Sequence, residues 1–173
     1  FNNYFKAETA RAATEVLEDA GFDVKVYHKS MCCGRPLYDW GMLEEAREHL
    51  KSILKTVDAD VSKGIPIIVL EPSCASVFKD ELINLLSEHE DAIRLSKGVF
   101  LFSEFFEKYV PDYAPHLHKK ALVQLHCHHH AILDADAEKS VLKRVGLEAD
   151  TMPGNCCGMA GAFGFEEGEH YEV

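Results

Sequence analysis

The chain has 173 residues, 47% of them apolar, which is enough for one well-packed domain or two small halves sharing a core without disulfide staples. A formal charge of −11 and a pI near 5.3 oppose binding to nucleic acid or to an anionic membrane, because such surfaces reward lysine and arginine. No apolar run reaches the length of a membrane span and no signal peptide is visible, while Phe1 in place of methionine predicts a start inside a longer chain.

Ala10, Ala13, Val16, Leu17 and Ala20 recur at helical spacing and stop at Gly21. A strand is expected from Phe22 to Tyr27, followed by Cys32-Cys33-Gly34. Leu43, Ala46, Leu50, Ile53, Leu54, Val57 and Val61 make a second helical stripe, and the run Ile65 to Leu70 predicts a strand buried on both faces. Ser73 is placed to cap the next helix, which carries Val77, Phe78, Leu82, Leu85 and Leu86. Cys74 would then sit at a helix N-terminus, where free N–H groups favour a thiolate.

Short helices are expected from Asp91 to Val110, then a connection from Pro111 to Pro115. The pattern restarts with a buried strand, Ala121 to Leu125, that runs into His126-Cys127-His128-His129-His130. A helix ending near Gly146, a strand from Leu147 to Met152, Cys156-Cys157-Gly158, and glycines at 161 and 164 complete the chain.

All six cysteines thus fall into two matching sets: Cys32, Cys33 and Cys74, and Cys127, Cys156 and Cys157. Core packing needs neither adjacent thiols nor their repetition, whereas metal or iron–sulfur ligation needs both. The halves, 1–110 and a truncated 116–173, share a unit of strand, ligand position, helix, strand, Cys-Cys-Gly, helix, strand, ligand position. Their losses are complementary: the first-half position matching Cys127 is Asn3, and the second-half position matching Cys74 falls beyond Val173. Alternating strands and helices predict an α/β fold of two pseudo-repeated halves, with parallel strands flanked by helices and cysteines at the carboxyl ends of strands. That common polarity, with a pseudo-twofold arrangement, would make one composite pocket of six thiols.

Adjacent sulfurs can reach one metal or bridge two, and thiolates favour iron and zinc. The alternatives are a vicinal disulfide acting as a redox switch and plain buried cysteines at glycine-bearing turns. His126 or His129 is the nominee for a fourth ligand, against hydrogen bonding to a sulfur from outside the metal's own ligand set. Arg35 and Tyr38 could orient a carboxylate or offset thiolate charge, or form an ordinary surface salt bridge. Glu71 reads either as an acid beside the site or as a polar strand end. Glu44-Glu45 and Glu166-Glu167 read as solvated faces. Unpaired thiols predict a reducing, cytoplasmic setting.

At these residues the sequence resembles the cysteine-rich CCG domain of heterodisulfide reductase B subunits and related iron–sulfur oxidoreductases. Cys32-Cys33-Gly34-Arg35-Pro36-Leu37-Tyr38-Asp39-Trp40-Gly41, Leu70-Glu71-Pro72-Ser73-Cys74 and His126-Cys127-His128-His129 look like the C-terminal region of bacterial FAD-linked oxidases of the D-2-hydroxyglutarate and D-lactate dehydrogenase group. Asn155-Cys156-Cys157-Gly158-Met159-Ala160-Gly161 and His170-Tyr171-Glu172 fit the same group. The resemblance implies upstream FAD and ferredoxin-like domains in a parent chain, neither visible here, and an electron acceptor that is a quinone or a protein. It implies a cytoplasmic module, or one peripheral to the inner membrane, that is inactive on a hydroxy acid by itself. The second cysteine of the family's Cys-x-x-Cys is lost, since Ala75, Ser76 and Val77 follow Cys74, so a five-cysteine cluster site is not reproduced. What remains is a shared 4Fe-4S cluster, a mononuclear zinc or iron completed by histidine, or an open metal position facing substrate. The expected function is an iron–sulfur or metal redox module. The alternatives are a zinc or iron site that binds the hydroxy acid, and a structural or docking domain.

Overall fold

The computed structural model describes residues 2, 4–27, 31–152, 157–161 and 163–169; Cys156, His170 and Tyr171 lie outside them. The architecture is α/β, with short parallel strands and flanking helices. Helix α1, Ala7–Asp19, buries Leu17 and gives way at Gly21, whose φ of +91° is natural to a residue without Cβ. Residues 22–27 keep the alternation of a strand, with Phe22 and Val24 packed inward and Asp23 and Lys25 outward. They make no ladder among the described residues, which corrects the expected first strand. Side chains tether this segment instead. Lys25 Nζ lies 2.6 Å and Tyr27 Oη 2.5 Å from the buried Asp60 carboxylate. Their hydrogen bonds, Lys25's first, hold the Asp60 carboxyl below the usual carboxylate range, while burial and then Asp60 push Tyr27 up to about 12.

The short helix α2, Arg35–Asp39, leads to α3, Leu43–Val61, which buries Ala46, Leu50, Ile53, Leu54, Val57 and Val61 as its stripe predicts. The following strand β1 is only Ile67–Ile68 and is half-buried rather than enclosed, because one side faces a wide cleft. It leads to α4, Pro72–Ser76, a π-helical segment over Val77–Glu81, and α5, Leu82–Leu85. One continuous helix was expected there. The wider turn lets Val77 and Leu82, five residues apart, both face the core at 2% and 0% exposure. Then come α6, Glu90–Gly98, strand β2, Val99–Phe100, and α7, Phe102–Tyr109. β2 pairs in parallel with β1, Ile67 opposite Val99, within a stretch whose sequence predicts only helices.

The second parallel pair joins β3, Lys119–Val123, to β4, Leu147–Thr151, through α8, Cys127–Ile132, and α9, Ala135–Arg144. The helix expected up to Gly146 is broken in two at Asp134, whose carboxylate caps α9 by accepting from the N–H groups of Asp136 and Ala137. β3 is not the buried strand expected, for Leu122 is 72% exposed. Each crossover places a cysteine alike: Cys74 follows β1 into α4, and Cys127 follows β3 as the first residue of α8. One core cluster joins Leu50, Ile53, Val57, Val77, Leu82, Leu95 and Val99. Another gathers Leu17, Phe100, Phe105 and Phe106, with Val141 of α9 against them.

Candidate functional site

The Cys32-Cys33-Gly34 turn is built around a left-handed glycine. Gly34 has φ +86°, and a Cβ there would stand 2.9 Å from His49 Cδ2. His49, on α3, places Nε2 2.7 Å from the Cys32 carbonyl, so its ring braces the turn from below. Sequence reasoning overlooked His49; the signal was a histidine one residue before the buried Leu50, at the edge of the α3 stripe. Gly34→Ala is expected to cost about 1–2 kcal/mol for the left-handed backbone alone, plus displacement of the His49 ring. Urea unfolding of the variant would measure it, and an unchanged midpoint would contradict the tight turn.

The turn aims Cys33 inward, 7% exposed, with its Sγ 3.0 Å from Cys74 Sγ. Cys32 stays exposed, with the Gly34 N–H 3.5 Å from its sulfur. Ser73 is not the cap of α4, because Glu71 takes that role: its two carboxylate oxygens accept the Ser73 N–H at 3.1 Å and the Cys74 N–H at 2.6 Å. Glu71 thus takes up the Cys74 N–H and sets a negative charge near the sulfur, which opposes the thiolate expected there. The Cys33–Cys74 pair shares its protons unequally. The Cys33 thiol is lowered, chiefly by accepting from the Cys74 thiol, with the Arg35 backbone N–H assisting against burial. Cys74 is pushed up by giving that hydrogen bond, by burial and by Glu71.

Behind the thiols lies a buried polar network. Arg35 pairs with Glu81 of the π-helical segment, and its guanidinium also donates to Ser76 Oγ at 2.7 Å and the Ser73 carbonyl at 3.3 Å. Glu81 is 4% exposed and Ser76 fully buried, so the surface salt bridge considered for Arg35 is replaced by an internal one. Ser76 Oγ donates to the Ser73 carbonyl and meets His128 Nδ1 at 3.1 Å. With the hydroxyl proton spent on Ser73, His128 carries the Nδ1 proton and donates it. Burial first, then the Arg35 charge, lowers the His128 pKa, which favours the neutral ring. This contact ties α4, two residues after Cys74, to α8, one residue after Cys127.

The two nominated histidines differ. His126 caps α8: its Nδ1 accepts the His128 N–H at 3.2 Å and lies 3.8 Å from Cys127 Sγ. The ring's lone pair is thus in use. His129 is 4% exposed and its Nε2 meets the Asp134 carbonyl at 3.2 Å, so Nε2 holds the proton and Nδ1 keeps the lone pair. Cys127 and Cys157 are exposed. Three residues past Gly158, Gly161 approaches Asp39 of α2, its Cβ position 3.7 Å from Oδ2. Both cysteine-bearing segments of the second set therefore pass beside elements of the first. Among the described residues no three His, Cys, Asp or Glu side chains stand close enough to hold one ion. Cys32, Cys33, Cys74 and Glu71 also line a cleft of about 870 Å3, with walls that include Leu17, Phe22, Val57 and Phe105. No helix among the described residues is long and apolar enough to cross a membrane.

Thiols gathered at the carboxyl end of a parallel βαβ unit, behind a Cys-Cys-Gly turn, define a cysteine-rich domain, and likeness to known proteins points the same way. The family model for the cysteine-rich domain CCG matches residues 1–79. Lactate utilization protein A of Geobacillus kaustophilus (strain HTA426) is 30% identical over 174 residues, covering 95% of this chain and 71% of that protein. Lactate utilization protein A 1 of Bacillus mycoides (strain KBAB4) is 29% identical over 170 residues, 92% of this chain and 67% of that protein. The C subunit of the anaerobic glycerol-3-phosphate dehydrogenase of Escherichia coli (strain K12) is 28% identical over 177 residues, covering 99% of this chain and 44% of that protein. No solved structure matches. The chain belongs to the cysteine-rich CCG-domain family.

Proposed function

We propose that the chain is the thiolate-rich redox module of a larger oxidoreductase, holding an iron–sulfur cluster or a single zinc or iron ion and relaying electrons from a flavin domain of the parent protein to a quinone or protein acceptor. The observation that carries this reading is the 3.0 Å approach of the Cys33 and Cys74 sulfurs, with Cys32 next to Cys33 in the chain and lining the same cleft. A soft sulfur set of this kind suits iron or zinc, and cation binding would displace the proton the two sulfurs share. Cys127, Cys156 and Cys157 would complete the ligand set from the second half, with His129 Nδ1 the better-suited ring nitrogen. When bound, an iron–sulfur group supplies one-electron chemistry.

The chain's own residues hold the sulfurs in place. His49 braces the Cys32 carbonyl, Glu71 fixes the Cys74 N–H, and Arg35 locks α2 against α4. The relatives' names, for lactate utilization and for a subunit of an anaerobic glycerol-3-phosphate dehydrogenase, support membership in an oxidoreductase. A 2-hydroxy acid is the substrate class proposed for the parent protein, and the cytoplasm, in solution or at the inner-membrane surface, its location.

Oxygen-free reconstitution with ferrous iron and sulfide, followed by iron and acid-labile sulfide analysis, tests the reading. Both should bind in fixed proportion and give a visible absorption that bleaches on reduction, and Cys74→Ser should lose roughly tenfold or more in iron retention. Zinc held without sulfide would overturn the redox reading in favour of a zinc site.

A further inference from the structure

We infer that Cys33 and Cys74 close into a reversible disulfide when the chain meets a peroxide, and that this bond shuts the site to metal. The bond follows from geometry alone; its effect on metal rests on the function proposed above. The two sulfurs already lie 3.0 Å apart, carried by the turn before α2 and by α4, elements the Arg35 contacts hold together. The adjacent pair is the wrong one. Cys33 turns inward to Cys74, whereas Cys32 stays at the surface with the Gly34 N–H on its sulfur. Cys33 and Cys74 both line the large cleft, which admits an oxidant as small as hydrogen peroxide.

The chemistry balances in two steps. The Cys33 sulfur attacks one peroxide oxygen, the O–O bond breaks, and Cys33 sulfenic acid and water form. The Cys74 sulfur then attacks the Cys33 sulfur, the S–O bond breaks, and the hydroxyl leaves with the Cys74 proton as a second water. Two thiols are oxidised by two electrons, and the peroxide takes both. The product withdraws two of the first set's three sulfurs as thiolate donors, because it is the thiolate that ligates. A dithiol reductant restores them.

The test treats the metal-free chain with hydrogen peroxide, then maps cross-linked peptides by mass spectrometry and titrates the chain with cobalt(II). The expected result is a peptide pair joining Cys33 to Cys74 that has lost two hydrogens. It persists in Cys32→Ser and disappears in Cys33→Ser and Cys74→Ser. The oxidised chain should lose the thiolate–cobalt charge-transfer band, and dithiothreitol should return it. A Cys32–Cys33 cross-link, or oxidation without any cross-link, would overturn the inference, and mapping the unaltered chain keeps that outcome independent of how the variants fold. A Cys33–Cys74 bond in a chain whose reduced form takes up neither cobalt nor iron would sink the metal reading and leave the disulfide standing.

Discussion

Glu81→Ala should destabilise the chain by about 3–5 kcal/mol, the usual consequence of removing one partner from a buried ion pair. Arg35 would be left charged beneath the thiol site, with Asp39, 3.5 Å away and half-buried, its remaining acidic neighbour. The network is already short of partners, since Arg35 Nε and Glu81 Oε2 have none among the described residues. Arg35→Met together with Glu81→Leu should therefore recover more than half of the loss, because apolar side chains of similar volume replace such pairs at little or no cost. Chemical denaturation of the two singles and the double would close the cycle. Equal losses in the single and the double would mean that the ion pair is not what holds α2 to the π-helical segment.

Phe106→Ala should cost a comparable 3–5 kcal/mol, for a different reason: it empties the volume of a large ring that cannot be refilled by local collapse. Phe106 is 2% exposed, stacks on Phe102 at 4.6 Å between centroids and meets Tyr113 edge-on at 5.4 Å. Its cluster draws α1, β2, α7 and α9 together, so the loss should appear as a fall in the single unfolding midpoint rather than as a separate early transition. Phe106→Leu, keeping much of the volume, should retain most of the stability. A variant at alanine within about 1 kcal/mol of the parent would show that the cluster is not shared in this way.

Much of this fold was legible where one rule dominates. The α3 stripe from Leu43 to Val61, the Gly21 stop and the presence of strands, though not their burial or exact ends, near residues 67, 121 and 147 follow from periodicity and backbone preference. Val99 and Phe100 were not readable as a strand, because two residues carry no period and their pairing with Ile67 and Ile68 is settled across the fold. Phe22 to Tyr27 misled in the other direction. The residues suit a strand, but the Asp60 tether, invisible in local sequence, decides how they sit.

At the site, the pairing of Cys33 with Cys74 agrees with the grouping of thiols read from the sequence, whereas the supporting residues were mostly hidden. Glu81 interrupts an apolar stripe between Val77 and Leu82, which is the signature of a buried acid awaiting a cation. Glu71 was seen, but its role as cap depends on whether its carboxylate or the Ser73 hydroxyl reaches the first free N–H groups. The longer side chain from the residue before Pro72 does. His126, His128 and His129 have the same chemistry and different neighbours, so only their contacts assign one to the helix cap, one to Ser76 and one to Asp134.

Both strand ladders are parallel, and in each the partners are separated by the helices that cross over between them. Neither ladder can zip up from a tight turn as a hairpin does, so helix docking has to precede strand pairing, and the entropy of closing those long loops is spent early. During synthesis β1 would emerge and wait, its edge open, until β2 leaves the ribosome. The slow step of folding, and the moment of greatest exposure to aggregation, would then fall before Cys74 has acquired the neighbours that protect it.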